Sequence, residues 1–213
     1  MKIRLDRILV KFGLVPTRSQ AENMVKLGRI RVNGQIVTKP GMLIDEAALV
    51  EMPNDEIYVS RAGMKLAAAA KNLGINFKDK TVLDVGSSTG GFTDFALKNG
   101  ASKVLAVDVG TGQLHPSLMA DSRVEVHEQT DIRNFASQPA SKIDLILIDV
   151  SFISLSLILP SVAKLASADT LIVAMVKPQF EAGLSKLKHK GVIKNETMRQ
   201  QILKDFESTA HRK

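Results

Sequence analysis

Thr81-Val82-Leu83-Asp84-Val85-Gly86-Ser87-Ser88-Thr89-Gly90-Gly91-Phe92-Thr93 is an apolar run, a glycine-rich turn and the start of an amphipathic segment. Such a run closed by glycines predicts a strand that passes through a tight turn into a helix. Gly86, Gly90 and Gly91 let backbone approach a ligand with no Cβ in the way, and Ser87 and Phe92 belong to the same turn. The spacing is neither that of a dinucleotide fingerprint nor that of a lysine-bearing phosphate loop. Further strand-like runs follow at 104–107, 124–127, 145–149 and 171–176, with helical segments between most of them, and a helix is expected over 62–73. Strands alternating with helices specify an α/β fold, a parallel sheet covered on both faces. Asp84, Asp108 and Asp131 fall at the carboxyl ends of its first three strands, where open sheets of this class bind ligands. Asp108 is placed to bridge a ribose diol, and Asp131 to accept from an adenine amino group. A nicotinamide enzyme, or plain turn residues, is the competing reading. His115 is read as solvent-facing or structural.

The next two strand ends carry a different chemistry. Leu147-Ile148-Asp149-Val150-Ser151-Phe152 closes the fourth strand and Met175-Val176-Lys177-Pro178-Gln179-Phe180-Glu181 the fifth, while Arg61-Ala62-Gly63-Met64-Lys65-Leu66 opens the domain. Asp149 and Lys177 therefore leave adjacent strand ends beside the ligand site. A hydroxyl is a poor acid, so a substrate that reacts through one needs a positioned group that takes its proton. Lys177 is the expected base, with Asp149 and Lys65 orienting it and the substrate; the competing reading makes both lysines surface residues. Asp149–Phe152 does not carry an Asn/Asp-Pro-Pro-Tyr/Phe ending.

Residues 1–39 are strongly basic, with Lys2, Arg4, Arg7, Lys11, Arg18, Lys26, Arg29, Arg31 and Lys39 against Asp6 and Glu22. Leu5, Ile8, Leu9 and Phe12 recur at helical spacing up to Gly13, and Phe12 is expected to be buried. Thr17 is a suitable cap for a second helix with Ala21, Met24, Val25 and Leu27 on its apolar face, stopped at Gly28. Asn33-Gly34 between Ile30, Val32 and Ile36 signals a type I′ hairpin. Short strands are expected around Leu43 and Leu49–Val50, and a linker near Met52–Ser60. Arg4, Arg7, Lys11, Arg18, Lys26, Arg29 and Arg31 surround these elements and could meet a folded RNA backbone. Stacking aromatics are scarce, which favours recognition of RNA shape over splayed bases. A basic helical domain that binds protein is the alternative.

Thr17-Arg18-Ser19 with Ala21, then Gly28-Arg29-Ile30-Arg31-Val32-Asn33-Gly34, resembles the S-four-type RNA-binding domain, over about a quarter of the chain. The glycine-rich turn with its three acids resembles the S-adenosylmethionine-dependent methyltransferases; the resemblance implies S-adenosylmethionine as cofactor, with Asp84 near its methionine portion, Asp108 at the ribose and Asp131 at the adenine. Lys65, Asp149 and Lys177 resemble three members of the Lys-Asp-Lys-Glu tetrad of FtsJ-like RNA ribose methyltransferases. With the N-terminal module, the chain is similar to the TlyA, or haemolysin A, family over essentially its whole length. That resemblance implies 2′-O-methylation of cytidine in ribosomal RNA, with ribosomal RNA or a ribosomal subunit as partner. The expected architecture is an S-four-type domain over 1–58 and a Rossmann-like, FtsJ-like methyltransferase domain over 61–213. The family's tetrad Glu comes from a late strand that finds no match here: Glu181 and Glu196 do not fit it, and five strands are counted where seven are common. The expectation is a sheet lacking its last strands, with an exposed edge. A catalytically impaired RNA-binding protein is therefore the alternative function.

Composition bounds the rest. A formal charge of +7 in 213 residues points to a polyanionic partner, and zero cysteines exclude disulfides and thiolate chemistry. No metal site is read. No stretch approaches the roughly 20 apolar residues that span a bilayer, and no signal peptide is visible, so a cytoplasmic protein is expected. Membrane lysis has only the haemolysin label behind it, because the basic helix from Arg18 should turn its apolar side to the module's own core.

Overall fold

The computed structural model describes residues 2–26, 28–52, 58–135, 142–182, 193 and 195–210. Leu27 and most of the expected linker, 53–57, lie outside the described residues. The chain divides into two compact units, Met1–Ile57 and Tyr58–Lys213.

In the first unit, strand β1 (Lys2–Arg4) leads into helix α1 (Leu5–Lys11), followed by α2 (Arg18–Lys26), β2 (Ile30–Val32), β3 (Gln35–Val37), β4 (Leu43–Asp45) and β5 (Val50–Glu51). β1 pairs with β4, and β2 lies between β3 and β5. The hairpin turns on Asn33 and Gly34 at φ 50° and 79°, the two positive angles a type I′ turn requires. Thr17 Oγ1 accepts from Gln20 N–H at 3.2 Å, capping α2. Leu5, Ile8, Leu9, Ala21, Val25 and Ile30 are fully buried and form one core, so the apolar side of α2 is consumed within the unit. Phe12 departs from expectation: it is 46% exposed, because α1 ends at Lys11 and the turn at Gly13 carries its ring off the buried stripe.

The second unit starts with α3 (Arg61–Leu73) and continues β6 (Thr81–Val85), α4 (Gly91–Lys98), β7 (Lys103–Val107), α5 (Pro116–Met119), β8 (Val124–His127), β9 (Leu145–Ile148), α6 (Leu155–Ala163), β10 (Leu171–Ala174), α7 (Pro178–Glu181) and α8 (Glu196–Ala210). The five strands are parallel in the order β10-β9-β6-β7-β8. Successive connections step outward from β6 to β8, then return to β9 on its other side. That reversal opens a crevice at the carboxyl ends of β6 and β9. Two apolar clusters cover the two faces of the sheet, and β6, buried throughout, is its centre. β10 is an edge among the described residues, with Leu171 and Ile172 partly exposed. No described helix is long and apolar enough to cross a membrane.

Candidate active site

Gly86 follows β6 at φ 82°, and an added Cβ there would meet Asp149 O at 2.9 Å. The glycine thus lets the turn after β6 lie against the end of β9, at the strand-order reversal. Two cavities open here. One, about 340 Å³, is lined among others by Gly86, Ser88, Asp108, Thr130, Asp131 and Ile158; the other, about 160 Å³, by Asp84, Ser87, Phe92, Ser60 and Lys177. They share Gly86, Ser88, Asp149 and Ser151.

Asp84 is wholly buried, with Oδ2 accepting from Thr93 N–H at 3.0 Å and from its hydroxyl at 2.6 Å. Oδ1 is buried with no hydrogen-bond partner among the described residues. Burial pushes this carboxyl up to about 7, against the Thr93 hydrogen bonds and with the charges of Asp149 and Asp108 adding to the rise. A buried carboxylate with one unsatisfied oxygen at a cavity wall is chemically suited to an ammonium. Asp108 accepts from Ser88 N–H at 2.8 Å and Gly110 N–H at 2.7 Å. Asp131 lines the larger cavity with its carboxylate held by Arg133, whose Nη2 lies 2.6 Å from Oδ2. That hydrogen bond holds Asp131 below the ordinary carboxylate range.

Not every predicted ligand-binding residue reaches these cavities. Gly90, at φ 92°, would carry a Cβ 2.3 Å from Leu118 Cδ1, and a Cβ on Gly91 would lie 2.2 Å from Ser60 Oγ and 2.8 Å from Gly63 N. Both glycines are therefore required by packing, Gly90 against α5 and Gly91 against the start of α3. Neither is among the lining residues. His115 caps α5, its Nδ1 accepting from Ser117 N–H.

Lys177 Nζ lies 2.6 Å from Asp149 Oδ1 and donates to Ser151 Oγ at 2.9 Å. Parallel pairing of β9 with β10 brings the two strand ends together. Lys65, on α3, stands apart from the pair with its ammonium 3.7 Å from Met175 Sδ, two residues before Lys177. Glu181 does not join them; its carboxylate accepts from Ser154 Oγ at 2.6 Å and Leu155 N–H at 2.9 Å at the start of α6. Sequence reasoning missed Phe152, which is 90% exposed at φ 67° with its ring 5.4 Å from that of Phe180. A bulky residue held at positive φ beside the Asp149–Lys177 pair is the kind of backbone strain found at functional sites, and no periodicity announces it.

The basic residues of the first unit divide in two. Asp6 is fully buried and bound by Arg4 at 2.8 Å and by Arg18 at 2.9 Å. Lys26 lies 3.8 Å from Glu22, and Lys11 pairs with Glu46. Arg7 and Arg31 are exposed and have no ion pair among the described residues.

Fold and site together define a Rossmann-like α/β methyltransferase domain with an acid-lined crevice, preceded by a small basic α+β unit. A family model for FtsJ-like methyltransferase matches residues 58–213, and one for the S4 domain matches residues 3–50. The chain belongs to the FtsJ-like methyltransferase family and carries an S4 domain at its N-terminus. It is 38% identical over 201 residues to the 16S/23S rRNA (cytidine-2'-O)-methyltransferase TlyA of Mycobacterium tuberculosis, covering 93% of this chain and 75% of that protein. It is 37% identical to "Hemolysin A" of Brachyspira hyodysenteriae over 94% of this chain and 85% of that one. A solved structure from Streptococcus thermophilus that bears a hemolysin name superposes with a TM-score of 0.70 at 39% identity, covering 98% of this chain and 78% of that one.

Proposed function

We propose that this chain transfers a methyl group from S-adenosylmethionine to the ribose 2′-hydroxyl of a cytidine in ribosomal RNA. The observation that carries the reading is the Asp149–Lys177 pair, closed at 2.6 Å on the wall of an acid-lined crevice. S-adenosylmethionine, when bound, supplies a methyl group on a positively charged sulfur, the electrophile for an oxygen nucleophile. Asp84 suits the cofactor's ammonium, its free Oδ1 being the unsatisfied group that a cation completes. Asp108, already oriented by two backbone N–H groups, is assigned to the ribose diol, and Asp131, held by Arg133, to the adenine end.

Lys177, as the free amine, is assigned to accept the proton of the 2′-hydroxyl as that oxygen is methylated. Asp149 and Ser151 fix where Nζ points. Lys65, on α3 with its ammonium against Met175, is assigned to position the substrate rather than the base. Phe152 and Phe180 offer an aromatic wall on which a base lifted from the RNA stacks. The S4 domain is assigned to ribosomal RNA, which takes over the role of choosing the site.

The test is transfer of a labelled methyl from S-adenosylmethionine to ribosomal subunits and to free ribosomal RNA, with the product located by its resistance to alkaline cleavage at the modified ribose. Methyl recovered only on a base would overturn the assignment of Lys177. Binding of cofactor and RNA with no turnover on any ribosomal substrate would mark the chain as catalytically impaired.

A further inference from the structure

The loop after β7 lines the larger cavity through Asp108 and Gln113, yet it contains Gly110 and Gly112 and forms no helix until Pro116. Such a segment has little to hold it in one conformation unless its backbone is tied from outside. Three of the ties come from a single side chain. Glu128, directly after β8, accepts from Gly112 N–H at 2.6 Å, Gln113 N–H at 2.9 Å and Leu114 N–H at 3.3 Å. Three further bonds run between the same loops: Gln129 N–H to Gly110 O, Thr130 N–H to Asp108 O and Gln129 Nε2 to Thr111 Oγ1, each at 2.9 Å. Held this way, the Gln113 side chain accepts from Ser88 Oγ at 3.1 Å, which links the loop to the glycine-rich turn beneath it. Its amide nitrogen occupies the space above Gly110: a Cβ there would lie 1.8 Å from Gln113 Nε2 and 3.0 Å from Asp108 Oδ1.

Glu128 is not itself among the residues lining the cavity. We infer that Glu128 is a positioning residue for the cofactor site, and that through it Gln113 becomes a further cofactor-binding side chain beside Asp108. The inference rests on the reading of this cavity as the site for the adenosine half of S-adenosylmethionine. An anionic acceptor satisfying three consecutive N–H groups is a strong anchor, since hydrogen bonds to charged groups are each worth about twice a neutral one. Gln113, with a carboxamide that both donates and accepts, complements a ribose diol already facing the purely accepting Asp108. Nothing in the residue types announces the arrangement, because the anchor and the loop come from two different strand ends.

The experiment is calorimetric titration of the full chain with S-adenosylhomocysteine, comparing wild type with Glu128→Ala, Glu128→Gln and Gln113→Ala, alongside steady-state methyl transfer. Glu128→Ala is expected to weaken binding about 10- to 100-fold, the equivalent of one or two charge-assisted hydrogen bonds. The KM for S-adenosylmethionine should rise to match, while kcat at saturating cofactor and the KM for RNA stay within about twofold. Glu128→Gln keeps one accepting oxygen and should fall between the two; Gln113→Ala should give a smaller loss with the melting temperature unchanged. Should Glu128→Ala fail to fold, the other two variants carry the test. Unchanged affinity in Glu128→Gln and Gln113→Ala overturns the inference, as does a loss of kcat together with the RNA KM, which marks general loosening. A wild-type chain that does not bind S-adenosylhomocysteine brings down the reading of the cavity instead, a result the variants cannot mimic.

Discussion

Among the described residues each unit buries one aspartate completely, and the two are driven in opposite directions. Asp6 in the S4 domain is held at about 2, chiefly by its hydrogen bond from Arg4 and then by Arg18, against the cost of burial. Asp84 in the methyltransferase domain is pushed up to about 7 by burial, which Thr93 only partly offsets. A carboxylate whose cations are supplied by its own fold is finished and serves structure. A carboxylate with an oxygen left unsatisfied can still take a cation from outside. The difference separates a unit whose buried carboxylate is tied within its own fold from one whose buried carboxyl keeps an oxygen free, and the Asp84 and Asp6 variants below test that division.

The largest effect is expected at the Asp149–Lys177 pair, the proposed site of proton transfer. Lys177→Ala should lower methyl transfer by roughly 10²- to 10⁴-fold, the range for losing a positioned general base. Affinity for S-adenosylhomocysteine should stay within a fewfold, as measured by calorimetry. Near wild-type turnover in this variant removes Lys177 from its role, leaving the Asp149–Lys177 contact as an ordinary ion pair.

Asp84→Asn comes next. Between about pH 4 and 7 the unfolded chain has lost the Asp84 proton while the folded chain retains it, so stability falls as pH rises through that window and levels off above it. Asn keeps an acceptor for Thr93 without the charge, so the variant should melt higher than wild type at pH 8 with no ligand bound. The same change should weaken cofactor binding by about tenfold or more, one pKa unit of lost charge preference corresponding to a factor of ten. At pH 6 the wild type should release up to one proton on binding, seen as a dependence of binding enthalpy on the buffer's ionisation enthalpy. The variant should release none at this site.

Much of this was legible because it rests on local periodicity and on strand ends. The glycine-rich turn, the positions of Asp108, Asp149 and Lys177, and the Asn33-Gly34 hairpin all follow from patterns within a dozen residues. Gly90 and Gly91 have a packing requirement that the sequence did not show, since a glycine needed by a neighbouring helix looks the same in sequence as one needed by a ligand. Phe12 was misplaced because a helical stripe was extended one residue past its last turn. Phe152 and Glu128 were invisible for another reason: the first depends on a strained backbone angle, the second on two loops meeting at the ends of neighbouring strands. Asp6 was counted only as a minor offset to the basic charge, although it decides what Arg4 and Arg18 do.

Asp6→Asn should destabilise the chain by about 1–2 kcal/mol near neutral pH, discounted because Arg4 and Arg18 are themselves substantially exposed. Here the sign is opposite to that of Asp84. The folded pKa lies below the unfolded one, so the contribution is complete above about pH 4 and lost as pH falls toward 2. Thermal melting from pH 2.5 to 7 should show this slope in wild type and not in the variant, with affinity for S-adenosylhomocysteine unaltered.

The smallest effect separates the arginines that build the S4 domain from those that face outward. Arg18 is committed to Asp6, whereas Arg7 and Arg31 have no ion pair among the described residues. Removing a cation that contacts a phosphate lowers the slope of log affinity against log salt by roughly 0.7–0.9 and weakens binding alike across sequences. Arg7→Ala with Arg31→Ala should therefore flatten that slope for ribosomal RNA by up to about 1.8, with no change in melting temperature. Arg18→Ala should lower the melting temperature and so confound its own RNA effect. If instead Arg18→Ala alone flattens the salt slope while stability holds, Asp6 does not occupy that guanidinium, and the contrast between the two buried aspartates loses its structural half.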